Sequence, residues 1–192
     1  MNFIYIAFIV LLLVVTTFLL LIFVPKPTVF FDISKICKEL LLFNEDKYFE
    51  DIKEEILEFE QKEKPVNIKL FYNRGLDMKF KELPKTYEMF RTIPHLRSVQ
   101  LSTLDAKTDT QIQKGDGKDV NDTLSAILPI RISGAKKNSL WCDGEIKFLE
   151  VGNWILYDAS HEHSMSNKHK RLTTLYLYIT IDRPLDIPRG IA

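Results

Sequence analysis

Disulfide staples are missing from this chain. Two cysteines in 192 residues exclude a disulfide framework and any cysteine-rich zinc module. Excess charge of either sign is missing too. The balance of 26 basic against 26 acidic residues argues against a basic nucleic-acid binder and against an acidic disordered tail. The sequence has no G-x-S-x-G, no P-loop and no G-x-G-x-x-G, so the common signatures of serine hydrolases, nucleoside triphosphatases and dinucleotide-binding enzymes are all lacking. No internal repeat or low-complexity stretch appears.

Charge is also absent from the first 24 residues. Phe3 to Val24 is an unbroken apolar stretch with only Tyr5, Thr16 and Thr17 as mild interruptions. At about 1.5 Å per residue, a helix of this length covers roughly 33 Å, enough to cross the hydrocarbon core of a bilayer. A cleaved signal would carry a basic start and a small-residue cleavage site. Here the start is Met1-Asn2 and the run ends in Phe23-Val24-Pro25. Residues 1–25 therefore read as an uncleaved single-pass membrane anchor. Lys26, Lys35 and Lys38 follow the span, which by the positive-inside tendency places the domain in the cytosol. The sequon Asn121-Asp122-Thr123 would be used only on the opposite side, so the side stays open.

Residues 26–64 read as a helical lead-in. Phe49, Ile52, Ile56 and Phe59 recur at spacings of an amphipathic helix. The opposite face (Glu50, Asp51, Glu54, Glu55, Glu58) reads as solvated. Pro65 ends the helix, Val66, Ile68 and Leu70 alternate as a strand, and Pro84 opens a short helix carrying Tyr87, Met89 and Phe90. After Pro94 short strands follow one another: 97–104, 124–132, 139–142, 145–148, 154–158, 161–164 and 171–181. In the last, Thr173, Leu175, Leu177, Ile179 and Ile181 share one face, with Thr174, Tyr176, Tyr178 and Thr180 on a wetter one. The expectation is a mainly β domain over residues 65–192, a jelly roll or double-stranded β-helix preceded by helices and a transmembrane segment.

All four histidines (His95, His161, His163, His169) lie in the strand-rich half. On a strand, His161 and His163 would point to one side, and imidazole suits iron, zinc, copper or nickel. Cys37 and Cys142 form no motif and read as free thiols or one disulfide. Lys168-His169-Lys170-Arg171 reads as a solvated turn or as an anion site, because arginine presents a planar bidentate fork.

Five stretches, in order, resemble the aspartyl/asparaginyl β-hydroxylases, which are iron(II)- and 2-oxoglutarate-dependent oxygenases. Leu83-Pro84-Lys85-Thr86 with Ile93-Pro94-His95-Leu96-Arg97-Ser98 is similar to the family's short helix and I-P-G-L-R-S-like strand entry. The run from Gly144-Glu145 through Gly152 to Asp158 is similar to its G-x-E…W-x-x-G-x…F-D-D segment. Ser160-His161-Glu162-His163 resembles its S-[FH]-E-H motif, and Asp182-Arg183-Pro184-Leu185 its closing end. The resemblance implies a double-stranded β-helix holding metal and 2-oxoglutarate between its sheets. His163 would be the distal iron ligand. Arg171 would clamp the 2-oxoglutarate carboxylate, although it comes about two residues early.

The chain departs from the family at its other iron histidine, within P-H-x-G-P, which falls on Gly115 or Asp116. It departs again in the following L-R-x-H-L-G-L strand, where Ser125 and Ile127 replace the arginine and histidine. A rescued site would use Asp116, His161 and His163 as metal ligands, with Arg171 and Ser125 on the cosubstrate. Two functions follow. One is a membrane-anchored dioxygenase using Fe(II) and 2-oxoglutarate on a protein or peptide side chain or a lipid-linked group. The other is a degenerate relative without cofactor, acting as a binding or structural subunit of a membrane or envelope complex. Neither involves nucleic acid. A zinc site at His161 and His163 is a third option.

Overall fold

The computed structural model describes residues 3–22, 27–44, 46–63, 67–72, 75–76, 81–115 and 118–188. Along the chain, helix α1 (Phe3–Ile22) is followed by strand β1 (Phe30–Phe31), helix α2 (Ile33–Ile36), a 3-10 helix over Lys38–Asn44 and helix α3 (Asp46–Glu63). Next come β2 (Ile68–Tyr72), β3 (Gly75–Leu76), α4 (Pro84–Phe90), β4 (Leu96–Leu104), β5 (Thr108–Asp109) and α5 (Lys118–Asn121). The remainder is strand: β6 (Thr123–Arg131), β7 (Asn138–Cys142), β8 (Glu145–Phe148), β9 (Ile155–Tyr157), β10 (His163–Asn167) and β11 (Thr174–Asp182).

The strands form two antiparallel sheets, in the orders β1-β9-β6-β11-β4-β2-β3 and β5-β10-β7-β8. From β4 onward the chain passes back and forth between them and leaves four strands in each, the winding of a jelly roll. The strand expected at 161–164 begins two residues later, at His163, and runs on to Asn167. β1, β3, β5 and α5 have two to four residues each, too short for any periodicity to register.

β11 lies in the large sheet between β4 and β6, and its two faces separate as the alternation predicts. Leu175, Leu177, Ile179 and Ile181 are buried in one cluster with Ile52, Ile56 and Phe59 of α3 and Phe90 of α4. Tyr176 and Tyr178 belong to a second cluster, between the sheets, with Ile127, Leu140, Cys142 and Met165. The helices thus cover the outer face of the large sheet and the small sheet covers its inner face. Both cysteines are free and buried. Burial pushes the thiols up, Cys37 to about 11 and Cys142 to about 12 with the help of nearby acids, so neither is poised to react.

The acidic face of α3 is more than a solvated surface. Glu60, which lies outside that face, makes a two-pronged contact with Arg131 at 2.5 and 2.7 Å, tying the helix to β6. Glu55 accepts hydrogen bonds from the backbone N–H groups of Lys85 and Thr86, both 2.8 Å, and from the Thr86 hydroxyl at 2.5 Å. Leu83, at the N-cap of α4, offers no capping side chain, so Glu55 of a different helix satisfies the orphan donors. Glu55→Ala is expected to cost about 1–2 kcal/mol, the range of a lost N-cap. A shift of the urea midpoint for the full chain in detergent measures it, and an unchanged midpoint would show that the contact is idle.

α1 has twenty residues and no charge. Its side chains are described at Tyr5, Ile6 and 8–17, and among the described residues no helix is long and apolar enough to cross a membrane.

Candidate ligand site between the sheets

Two adjoining lobes of about 430 and 420 Å3 open between the inner faces of the sheets, and both touch Gln113, His163 and Tyr178. His163 is the first residue of β10. Its backbone exchanges hydrogen bonds with Gln113 (2.8 and 2.9 Å), which pins the segment after β5 across the mouth. The His163 Nδ1 lies 2.9 Å from the carbonyl oxygen of His161. A carbonyl can only accept, so Nδ1 is the donor in this bond and Nε2 is the ring nitrogen it leaves for another partner, the arrangement typical of a ligating imidazole. The ring meets that of Tyr157 edge-on, with centroids 5.4 Å apart.

Hydroxyl and amide groups line the opposite wall. Ser125 Oγ and Tyr178 OH are 2.7 Å apart, Ser98 and Thr180 hydroxyls 2.6 Å, and Gln100 donates to Ser102 at 2.8 Å. Burial, reinforced by Tyr178, pushes the Tyr157 phenol well up. Burial also raises Tyr176, against a lowering hydrogen bond from Ser102. These phenols therefore stay neutral. Among the described lining residues of the two lobes there is no carboxylate.

The structure distributes the expected site residues unevenly. Ser125 is buried and shares the first lobe with His163. His161 sits in the turn before β10 and its Nδ1 is 3.2 Å from Asp143 Oδ2. It lines neither lobe, because the strand that would have aligned it with His163 starts only at His163. Arg171 is exposed in the turn before β11 and also lines neither lobe. Three residues on, Thr174 is buried with its hydroxyl on the Asn138 side-chain oxygen. Asn138 and Asn167 both bond to the Ser133 hydroxyl, so these residues form a neutral hydrogen-bonded network that leaves no guanidinium beside Thr174.

Asp116 lies outside the described residues. At Gly115, a Cβ would fall 2.4 Å from a Val120 methyl and 2.8 Å from the carbonyl oxygen of Ala159, leaving no room for an imidazole. Ile127 is fully buried in the cluster between the sheets. Among the described residues no group of three or more His, Cys, Asp or Glu could hold a metal ion. Among the described lining residues, one imidazole with no second ligand, no guanidinium and only Lys114 as a cation does not fit an iron and 2-oxoglutarate centre.

The other motif stretches meet as structural pairs. Arg97 binds Asp182, so the strand entry holds the chain's closing segment. The Asp158 carboxylate accepts from Arg183 at 2.6 Å, and from the Ser160 hydroxyl and N–H at 2.7 and 3.0 Å. Burial pushes this carboxyl up, but Arg183 and Ser160 outweigh it and hold the group below its ordinary 3.8. His95 takes φ +60° where the similar motif has glycine, the residue best suited to that conformation. Sequence reasoning missed Gln113 and Tyr157 as site residues. Gln113 carries no local signal, whereas Tyr176 and Tyr178 were visible as the wetter face of β11.

By topology and cavity this is a jelly-roll domain with its candidate site between two antiparallel sheets. The chain belongs to the aspartyl/asparaginyl β-hydroxylase family, whose sequence pattern matches residues 32–184. No curated protein matches it. Similar solved structures include a cupin protein from Bacteroides fragilis, 15% identical over 50% of this chain and 76% of that one, with a TM-score of 0.35. Another is a predicted oxalate decarboxylase from Thermotoga maritima, 13% identical over 62% of this chain and 93% of that one, with a TM-score of 0.38.

Proposed function

We propose that this protein is a membrane-anchored binding member of the hydroxylase family that keeps the β-fold and the cavity but not the oxygenase reaction. The observation that carries this reading is the closed space at Gly115, one of the two positions, with Asp116, on which the family's histidine falls, where the backbone is packed against Ala159 and Val120. The buried Ile127 and the outward Arg171 agree with it. The anchor is α1, whose twenty charge-free residues would cover about 30 Å as a helix. The partner would be a membrane or envelope component. Full-length chain in detergent, given iron(II) and 2-oxoglutarate, is expected to form no more succinate than His163→Ala does. Succinate that depends on His163 would overturn the reading.

One observation favours the second reading, an active dioxygenase modifying a protein side chain or lipid-linked group: His163 lines the cavity with its Nδ1 engaged by the His161 carbonyl oxygen, which leaves Nε2 as the nitrogen for a metal. That reading needs the Asp116 carboxylate to join His163. It predicts a manganese(II)-dependent rise in melting temperature with 2-oxoglutarate that is lost in both Asp116→Ala and His163→Ala. A ligand at a hundredfold excess over Kd adds about 2.7 kcal/mol of stability, well within the reach of a thermal melt.

A further inference from the structure

β8 ends the small sheet, and all four of its residues are exposed. Asp143 and Gly144, at φ 41° and 87°, make the two-residue turn that joins it to β7. Cys142 pairs with Glu145, Leu140 with Lys147, and Trp141 with Ile146. A turn of this kind makes the closing pair a hydrogen-bonded one, after which the pairs alternate. Glu145 and Lys147 therefore direct their backbone N–H and C=O groups to β7, while those of Ile146 and Phe148 point off the open edge.

The two faces of β8 differ. Glu145 and Lys147 share the inner face with Cys142 and Leu140, and Lys147 Nζ reaches over the Phe30 ring at 5.7 Å. Ile146 and Phe148 lie on the outer face beside Trp141, 59% and 48% exposed. An open edge flanked by exposed apolar side chains is a template for another strand.

We propose that this edge pairs with the same edge of a second copy of the chain, antiparallel, about a two-fold axis perpendicular to the sheet at Ile146. Charge complementarity selects this occupant. The axis sets Ile146 against its symmetry mate as a hydrogen-bonded pair, using the groups that point outward. It places Glu145 of each copy opposite Lys147 of the other, at non-hydrogen-bonded positions where side chains lie closest. The order Trp141, Ile146, Ile146, Trp141 then runs as one apolar row across four strands on the outer face.

The test uses the full chain in detergent. Hydrogen-bonded partners have Cα atoms about 5.5 Å apart, inside the disulfide range, so Ile146→Cys is expected to form a covalent dimer under mild oxidation. Ile112→Cys, at an equally exposed position (63%), is expected to stay monomeric. Adding Glu145→Lys, or Lys147→Glu, to Ile146→Cys puts like charges opposite each other twice, and the cross-linked yield is expected to fall about tenfold. Combining both reversals restores the pairing and the yield, which also shows that the reversed chains fold. Absence of the Ile146→Cys dimer, indifference to single reversals, or failure of the double reversal to rescue would each overturn the proposal. So would a monomer whose Ile146 and Phe148 are shielded by lipid vesicles instead.

Discussion

Arg183→Met is expected to lower the stability of the fold by about 3–5 kcal/mol, the cost of removing one partner from a buried ion pair. The Arg183 and Asp158 side chains are each only 3% exposed. Arg183 also donates to the carbonyl oxygens of Thr123 at 3.2 Å and Pro188 at 2.8 Å, so one side chain ties the closing segment to the starts of β6 and the turn after β9. A methionine keeps much of the volume but leaves the Asp158 charge buried with Ser160 alone. The urea midpoint of the full chain in detergent at neutral pH measures the loss, and a change under about 1 kcal/mol would show that the pair is not a structural anchor.

The same pair sets a pH dependence. The folded-state pKa of Asp158 lies below its ordinary value of 3.8. Its contribution is therefore present above the unfolded-state value and is lost as the pH falls through the depressed folded value. In Arg183→Met burial is opposed by Ser160 alone, the carboxyl titrates higher than in the wild type, and protonation costs the variant less. The difference in stability between wild type and variant is expected to shrink as the pH drops below about 4. A gap that stays constant between pH 3 and 7 would contradict this account of the shift.

Gly115→His, which places a histidine at one of the two positions where the family's falls, is expected to damage this protein and repair nothing. The added Cβ alone meets the Ala159 carbonyl at 2.8 Å, and the Gly115 N–H already donates to that oxygen at 3.0 Å. Overpacking of this kind costs about 1–3 kcal/mol. Gly115→Ala carries the same first clash, so it is expected to show most of the loss, with Gly115→His showing at least as much. Manganese(II) is expected to shift the melting temperature of Gly115→His no more than that of wild type. A stable Gly115→His chain that gains metal binding would mean that the cavity remains an oxygenase site short of one side chain.

The layers were legible in the sequence wherever an element was long enough to show a period. Nine alternating residues in β11 identified the face that packs on helices and the face that lines the cavity. The stripe Phe49, Ile52, Ile56 and Phe59 identified the helix face that meets the large sheet. Two-residue strands such as β1 and β5 exist through pairing with β9 and β10, and nothing local announces them. The acidic face of α3 looked solvated because each carboxylate is ordinary in isolation. Only the packing of α3 beside α4 brings Glu55 to the donors of α4.

The site divides along the same line. The sequence by itself determined the family, the presence of His163 and Ser125, and the loss of the family's residues at Gly115 or Asp116, at Ser125 and at Ile127, because those are identities at positions. Tertiary structure decided which of the remaining groups share a cavity. Whether His161 faces His163 depends on where β10 begins, and whether Arg171 can reach a ligand depends on the turn that carries it outward. A side chain's chemistry is written in its residue type, but its direction follows from strand boundaries and from contacts between distant segments. At Gly115 the deciding contact is the carbonyl of Ala159, forty-four residues further along the chain, and only folding brings the two together.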